Sequence, residues 1–131
     1  MTAPASRISE YLQRRPFAGS LADADAIGGA NVDGRPPEAA IYLKLHDGRI
    51  ADAAFQASGC GYLIACCSAL LEMCLGRTPG ECRALDQGRL ESHLGGLPEA
   101  KRYCAELAVL ALRNTLAKLS AKDTGSQEEA A

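Results

Sequence analysis

Six cysteines, Cys60, Cys66, Cys67, Cys74, Cys82 and Cys104, are the residues of this chain best suited to chemistry. A thiolate is both a nucleophile and a soft metal ligand, so spacing decides what these residues could do together. No Cys-x-x-Cys pair is present, which argues against zinc ribbons and thioredoxin-type redox sites. Cys60 stands between Gly59 and Gly61 in FQASGCGYLIACC, with Cys66 and Cys67 six and seven positions further on. Along an α-helix that separation rises about 9 to 10.5 Å. Two thiolates that each lie about 2.3 Å from one tetrahedral ion sit within roughly 4 Å of each other. Cys60 is therefore not expected to share an ion with Cys66 or Cys67. These two neighbours point about 100° apart on a helix, so one is expected to face the core and the other not. Cys66, Cys67, Cys74 and Cys82 read as small apolar fillers, a common use of free cysteine.

Cys60 differs because a helix begins there, and a helix N-terminus lowers a thiol pKa. The flanking glycines keep the approach to it uncluttered. Cys104 has Lys101 three residues earlier, within reach to favour its thiolate in the same way. For both, the residues alone leave chemistry and packing open. His46 and His93 have no neighbours at ligand spacing and read as solvated or hydrogen-bonded histidines. The acidic residues form no catalytic pair in sequence, and GGANVDG lacks the Lys-Ser/Thr ending of a phosphate loop.

The elements that must position these sulfurs follow from local signals. SRISEYLQRRPF reads as a helix capped by Ser6 and closed before Pro16. Residues 18–40, rich in Gly, Ala, Asp and Pro, read as a loop. AIYLKLH alternates apolar and polar residues, Ile50 and Phe55 mark a second extended run, and Asp47-Gly48 between them predicts a hairpin. From Cys60 the signals turn helical. YLIACCSALLEMCLG is ended by Gly76, Thr78 and Glu81 form a capping-box pattern, and Asp86 caps QGRLESHL. Pro98 suits the first turn of a last helix running to about Leu119, with Cys104, Leu107, Ala108 and Ala111 on its packed side. The expected architecture is α+β, a small antiparallel sheet covered by helices. It forms one domain over residues 1–119, followed by a polar, disordered tail over 120–131.

The 131 residues suffice for one core without disulfides, and helix-patterned cysteines in a chain of this size read as free thiols. The formal charge of −2, with interspersed signs and few aromatics, gives no reason to expect nucleic acid or a membrane surface as partner. The apolar run over 62–75 contains Glu72 and is too short for a bilayer. A cytoplasmic-type location is expected.

FQASGCG, GLPEAKRYC, AGSLADADAIG and the hairpin LKLHDGRIADAAFQASGCG, in this order and spacing, resemble the NifU/IscU family of iron-sulfur cluster assembly scaffolds over about residues 8–119. The resemblance implies the SufE/NifU-like fold and no enzymatic activity. It further implies a transient [2Fe-2S] or [4Fe-4S] cluster or iron held on cysteines, with zinc able to stand in for iron. It makes Cys60 and Cys104 the second and third ligand cysteines. The first ligand cysteine is missing: an ungapped match puts Arg35 in its place and Pro37 in that of the accompanying Asp, and a shifted one offers Glu38 as substitute ligand. Tyr103 stands where the family has a His. The implied partners are a cysteine desulfurase, a heat-shock chaperone pair reading Leu97, Pro98 and Lys101, and recipient proteins. A homodimer would share one cluster between two pairs of thiolates.

Three roles follow. The first is a divergent scaffold or carrier binding iron or a cluster through Cys60 and Cys104. The second is a metal-free docking or regulatory partner of the desulfurase machinery. The third is an acceptor of persulfide sulfur on Cys60.

Overall fold

Two Asp-Gly pairs turn the middle of the chain back on itself. In the computed structural model Asp47 and Gly48 have φ of 55° and 77°, and Asp33 and Gly34 repeat the pattern at 54° and 76°. Positive φ at both central residues is the type I′ hairpin geometry, which Gly adopts freely and Asp tolerates. The product is a three-stranded antiparallel sheet in the order β1-β2-β3, made of β1 (Ala26–Val32), β2 (Arg35–His46) and β3 (Arg49–Ser58). The structure describes residues 3–14 and 16–130, with side chains over 7–14 and 16–119.

The loop expected over residues 18–40 is therefore corrected: β1 and the start of β2 lie inside it. The glycines that hid β1 are what the strand needs. A Cβ on Gly28 would lie 2.7 Å from the backbone N and Oγ1 of Thr115, and one on Gly29 would lie 2.7 Å from the Ala39 carbonyl oxygen. Gly in a strand marks such a close approach.

The helices are α1 (Ala3–Arg14), α2 (Gly61–Cys74), α3 (Pro79–Arg83), α4 (Gln87–Leu94) and α5 (Arg102–Ala130), with a 3-10 turn at Glu99–Lys101. Ser6 lies inside α1 rather than capping it, and Pro4 is tolerated in the first turn, where its missing N–H has no helical partner. Thr78 and Glu81 form the expected capping box, and Asp86 accepts the Arg89 N–H. Pro98 precedes the 3-10 turn rather than opening α5. α5 continues past Leu119 through the segment read as a tail, where Ala, Lys, Gln and Glu are good helix formers.

Ala39, Ile41 and Leu43 of β2 are buried on the inner face of the sheet, which α5 and α2 cover, while α1 and α4 pack on α2 from the other side. α2 is thus buried almost all round, which corrects the expectation that one of Cys66 and Cys67 faces outward: both are fully buried, as are Cys74 and Cys82. α1 is pinned by polar contacts. The Tyr11 hydroxyl donates to Glu72 and lies 2.9 Å from His93 Nε2. Burial and the Glu72 carboxylate push the Tyr11 pKa up to about 12, so it stays protonated. His93 is therefore a hydrogen-bonded histidine, and exposed His46 lies 3.4 Å from Asp47. No helix among the described residues is long and apolar enough to cross a membrane.

Two substitutions check this packing by thermal or denaturant unfolding. Gly28→Ala forces a Cβ into the Thr115 backbone and is expected to cost about 2 kcal/mol, from overpacking at a contact that backbone cannot relieve. Ser68 of α2 is buried with its hydroxyl unpaired among the described residues, so Ser68→Ala is expected to stabilise by about 1 kcal/mol.

Candidate cysteine site

β3 ends at Ser58, and the chain turns through Gly59 into α2 with Cys60 as its N-cap residue. The turn is tight because neighbours close over it. A Cβ on Gly59, at φ 158°, would lie 3.2 Å from both Pro37 Cβ and Leu63 Cδ2, and one on Gly61 would lie 3.2 Å from Leu12 Cδ1 and Cδ2. The glycines do more than clear the approach to Cys60. They let β2 and α1 pack against its two flanks.

α5 brings the second sulfur. Cys104 is fully buried on the first turns of α5, and its Sγ lies 3.7 Å from Cys60 Sγ across 44 residues of sequence. Leu107, Ala108 and Ala111 are buried along the same helix, as the apolar stripe predicts. The expected convergence of Cys60 and Cys104 is thus present, with Cys60 as the half-buried, reachable member.

The environments of the two sulfurs differ. Burial pushes the Cys60 thiol up, but the N–H groups of Leu63 and Tyr62, the Cys104 thiol and the Lys101 ammonium outweigh it, and its pKa falls below the ordinary value. Burial pushes Cys104 up to about 11, helped by the neighbouring Cys60 sulfur, and Tyr103 and Lys101 only partly oppose this. The expectation that Lys101 makes Cys104 a thiolate is therefore corrected, because burial wins. Tyr103 is exposed, and the hydrogen bond to Cys104 and the charge on the two sulfurs push its hydroxyl up to about 12. Burial raises Cys67 to about 12 and Cys66 further still. Both read as inert packing groups.

A cavity of about 590 Å³ opens at Cys60, lined by Gly61, Tyr62, Leu97, Pro98 and Lys101 and closed by Ile8 and Leu12 of α1. Lys101 Nζ stands 5.8 Å from the centre of the Tyr62 ring. Leu97, Pro98 and Lys101 thus share one wall with Cys60. Leu12 and Tyr62 went unnoticed in sequence, although Ile8 and Leu12, four residues apart on α1, carried a signal for an inward face.

Glu38 is not brought to the sulfurs. Strand alternation buries Ala39 on the inner face and leaves Glu38 exposed on the outer one, level with Asn31 and Ser58. Arg35 is exposed at the start of β2, opposite Val32. Pro37, which the ungapped match puts in the Asp position, is the residue packed beside Cys60 through Gly59. Among the described residues no group of three or more His, Cys, Asp or Glu side chains is arranged to hold a metal ion.

Comparison with known proteins places this geometry among relatives. The family model for the NifU-like N terminal domain matches residues 8–126. The iron-sulfur cluster assembly scaffold protein IscU 1 of Archaeoglobus fulgidus is 34% identical over 110 residues, covering 84% of this chain and 72% of that protein. The nitrogen fixation protein NifU of Cereibacter sphaeroides is 37% identical over 100 residues, covering 76% of this chain but 41% of that protein. Among solved structures, the N-terminal part of a NifU-like protein from Brucella abortus superposes with a TM-score of 0.70 at 23% identity, covering 88% of this chain and 93% of that one. A scaffold protein from Fervidobacterium islandicum superposes at 0.68 with 17% identity, covering 84% and 93%. These two likenesses bear on the fold, which is the expected α+β arrangement.

The two environments predict unequal reactivity. Iodoacetamide is expected to modify Cys60 well before Cys104. The Cys60 rate should rise with pH through a midpoint lower than that of Cys104. Peptide mapping by mass spectrometry checks this, and equal labelling of the two would contradict it.

Proposed function

The chain belongs to the NifU-like N-terminal domain family, and from that premise we propose that it is a scaffold or carrier for iron or an iron-sulfur cluster, held as cargo by the thiolates of Cys60 and Cys104. The observation that carries this reading is the 3.7 Å between the two Sγ atoms. Sulfurs about 2.3 Å from one tetrahedral ion are about 3.8 Å apart, so the pair has the span of one edge of such a site. Soft thiolates are the donors that iron in a cluster takes.

Two thiolates fill half of an iron's tetrahedron. The remaining corners fall to the sulfide of the cargo itself or to the same pair on a second copy, which would bring the total to four cysteines. Cys60 is reached first through its cavity. Cys104 lies behind it, fully buried and in contact with the Cys60 sulfur. Cargo, not catalysis, is the role, and zinc could occupy the same two sulfurs. A cysteine desulfurase supplies sulfur in this reading, recipient proteins take the product, and Leu97, Pro98 and Lys101 offer a wall beside Cys60 for a chaperone.

A second reading has one observation in its favour: no third donor from His, Cys, Asp or Glu joins the pair among the described residues. In that reading the chain docks on the desulfurase machinery without holding metal.

Anaerobic reconstitution with ferrous iron and sulfide separates the two. The scaffold reading expects chain-bound iron with sulfur-to-iron charge-transfer absorbance, reduced at least about tenfold by Cys60→Ser or Cys104→Ser, since each removes half of the protein thiolates. A chain that binds no iron under these conditions but still forms a complex with the desulfurase would establish the docking reading instead.

A further inference from the structure

We propose that Cys60 and Cys104 act together as an internal dithiol that liberates sulfide from a sulfane sulfur carried on Cys60, finishing as a Cys60–Cys104 disulfide. The source of that sulfur is a persulfide, on a protein or a small molecule. The proposal leans on the scaffold reading only for the supply of sulfur, since the step itself uses no metal.

The geometry selects this step over its alternatives. A persulfide on Cys60 has an inner sulfur, the Sγ of Cys60, and an outer one that extends from it. Cys104 Sγ already touches the inner position at 3.7 Å, and closing that gap to the roughly 2.05 Å of a disulfide is a contraction within an existing contact. The outer sulfur has room in the cavity at Cys60, where the Lys101 ammonium lines the wall and favours a terminal anion. Moving that sulfur onto Cys104 would instead place an additional atom on a side chain with no exposed surface. Cys66 and Cys67 are likewise sealed in α2, leaving Cys104 as the thiol in contact with Cys60.

The balance of the step is complete. Cys104 is a buried thiol, so its sulfur attacks the inner sulfur of Cys60 as its proton passes to the anionic outer sulfur of the persulfide; a new sulfur–sulfur bond forms between the two residues, and the bond to the outer sulfur breaks. The outer sulfur leaves with the bonding electron pair and the proton that Cys104 gives up, as hydrosulfide. Two thiol sulfurs are oxidised to a disulfide, and one sulfane sulfur is reduced to sulfide. Each chain delivers two electrons once, and a cellular thiol reductant resets it. The consequence for a scaffold whose site holds two cysteines is that sulfide can be generated where iron would be held, without an external electron donor in the releasing step.

The test uses the full, metal-free, reduced chain under anaerobic conditions. It is loaded in the cold with glutathione persulfide, freed of reagent by desalting, and then warmed. The expected course by intact mass is a chain carrying one extra sulfur that converts to one lighter than the reduced chain by two hydrogens. About one sulfide is released per chain, and peptide mapping joins Cys60 to Cys104. Cys104→Ser should keep the extra sulfur and release sulfide at least about tenfold more slowly, and Cys60→Ser should take up none. The proposal is overturned if the loaded wild type is as stable as Cys104→Ser, if the sulfur is found as a persulfide on Cys104, or if the disulfide joins Cys104 to Cys66 or Cys67. Should circular dichroism find Cys104→Ser unfolded, the peptide map of the wild type decides alone. A chain that binds iron but holds its persulfide refutes only this proposal. One that releases sulfide but never binds iron refutes only the scaffold reading.

Discussion

How closely α5 approaches the sheet governs where both sulfurs lie. Thr115 presses on Gly28 of β1 where no side chain could fit, and its hydroxyl donates to the Ala111 carbonyl within the helix at 2.8 Å while lying 3.4 Å from the Ile41 carbonyl oxygen of β2. A helix seated there is a rigid arm. Cys104 lies eleven residues earlier, about 16 Å along the axis, so the contact at Thr115 helps fix where its sulfur points. The other half of the constraint is α2, apolar on nearly every side and therefore held between α5, β3, α1 and α4. Its first residue follows Cys60, so burying α2 presents the Cys60 sulfur to the arm.

This construction makes the two cysteines unequal partners. Cys60 sits at a helix N-terminus, where the N–H groups of Tyr62 and Leu63 lower its pKa, and it opens to a cavity. Cys104 sits under the helices, where burial favours the thiol. A reachable sulfur with a lowered pKa in contact with a buried thiol is suited to receiving something and then changing state. Iron would draw both sulfurs toward the thiolate, and sulfane sulfur would draw them toward a disulfide. In the proposed roles the same 3.7 Å contact would serve either outcome.

Much of this arrangement was legible in the sequence because it rests on local rules. Asp47-Gly48 announced its hairpin, Thr78 with Glu81 and Asp86 announced helix starts, and the resemblance around FQASGCG and GLPEAKRYC pointed to Cys60 and Cys104 as one site. What stayed hidden depends on distant partners. β1 reads as a loop because its Gly28 and Gly29 are chosen for the helix that crosses it, and helix and strand are far apart in sequence. The second Asp-Gly turn, at Asp33-Gly34, was masked by the same glycine-rich surroundings. Glu38 looked available as a ligand until strand alternation turned it to the outer face, and the buried state of both Cys66 and Cys67 required knowing that α2 has neighbours on every side. The charge state of Cys104 turned on burial, which spacing to Lys101 does not report.

Cadmium-113 NMR of the chain loaded with one equivalent of Cd²⁺, a soft ion that reports thiolate ligands through its chemical shift, most directly tests whether these two sulfurs grip a common ion. One thiolate-shifted resonance is expected, lost or displaced in Cys60→Ser and Cys104→Ser alike and unchanged in Cys74→Ala. A resonance that ignores either of the first two substitutions would contradict this.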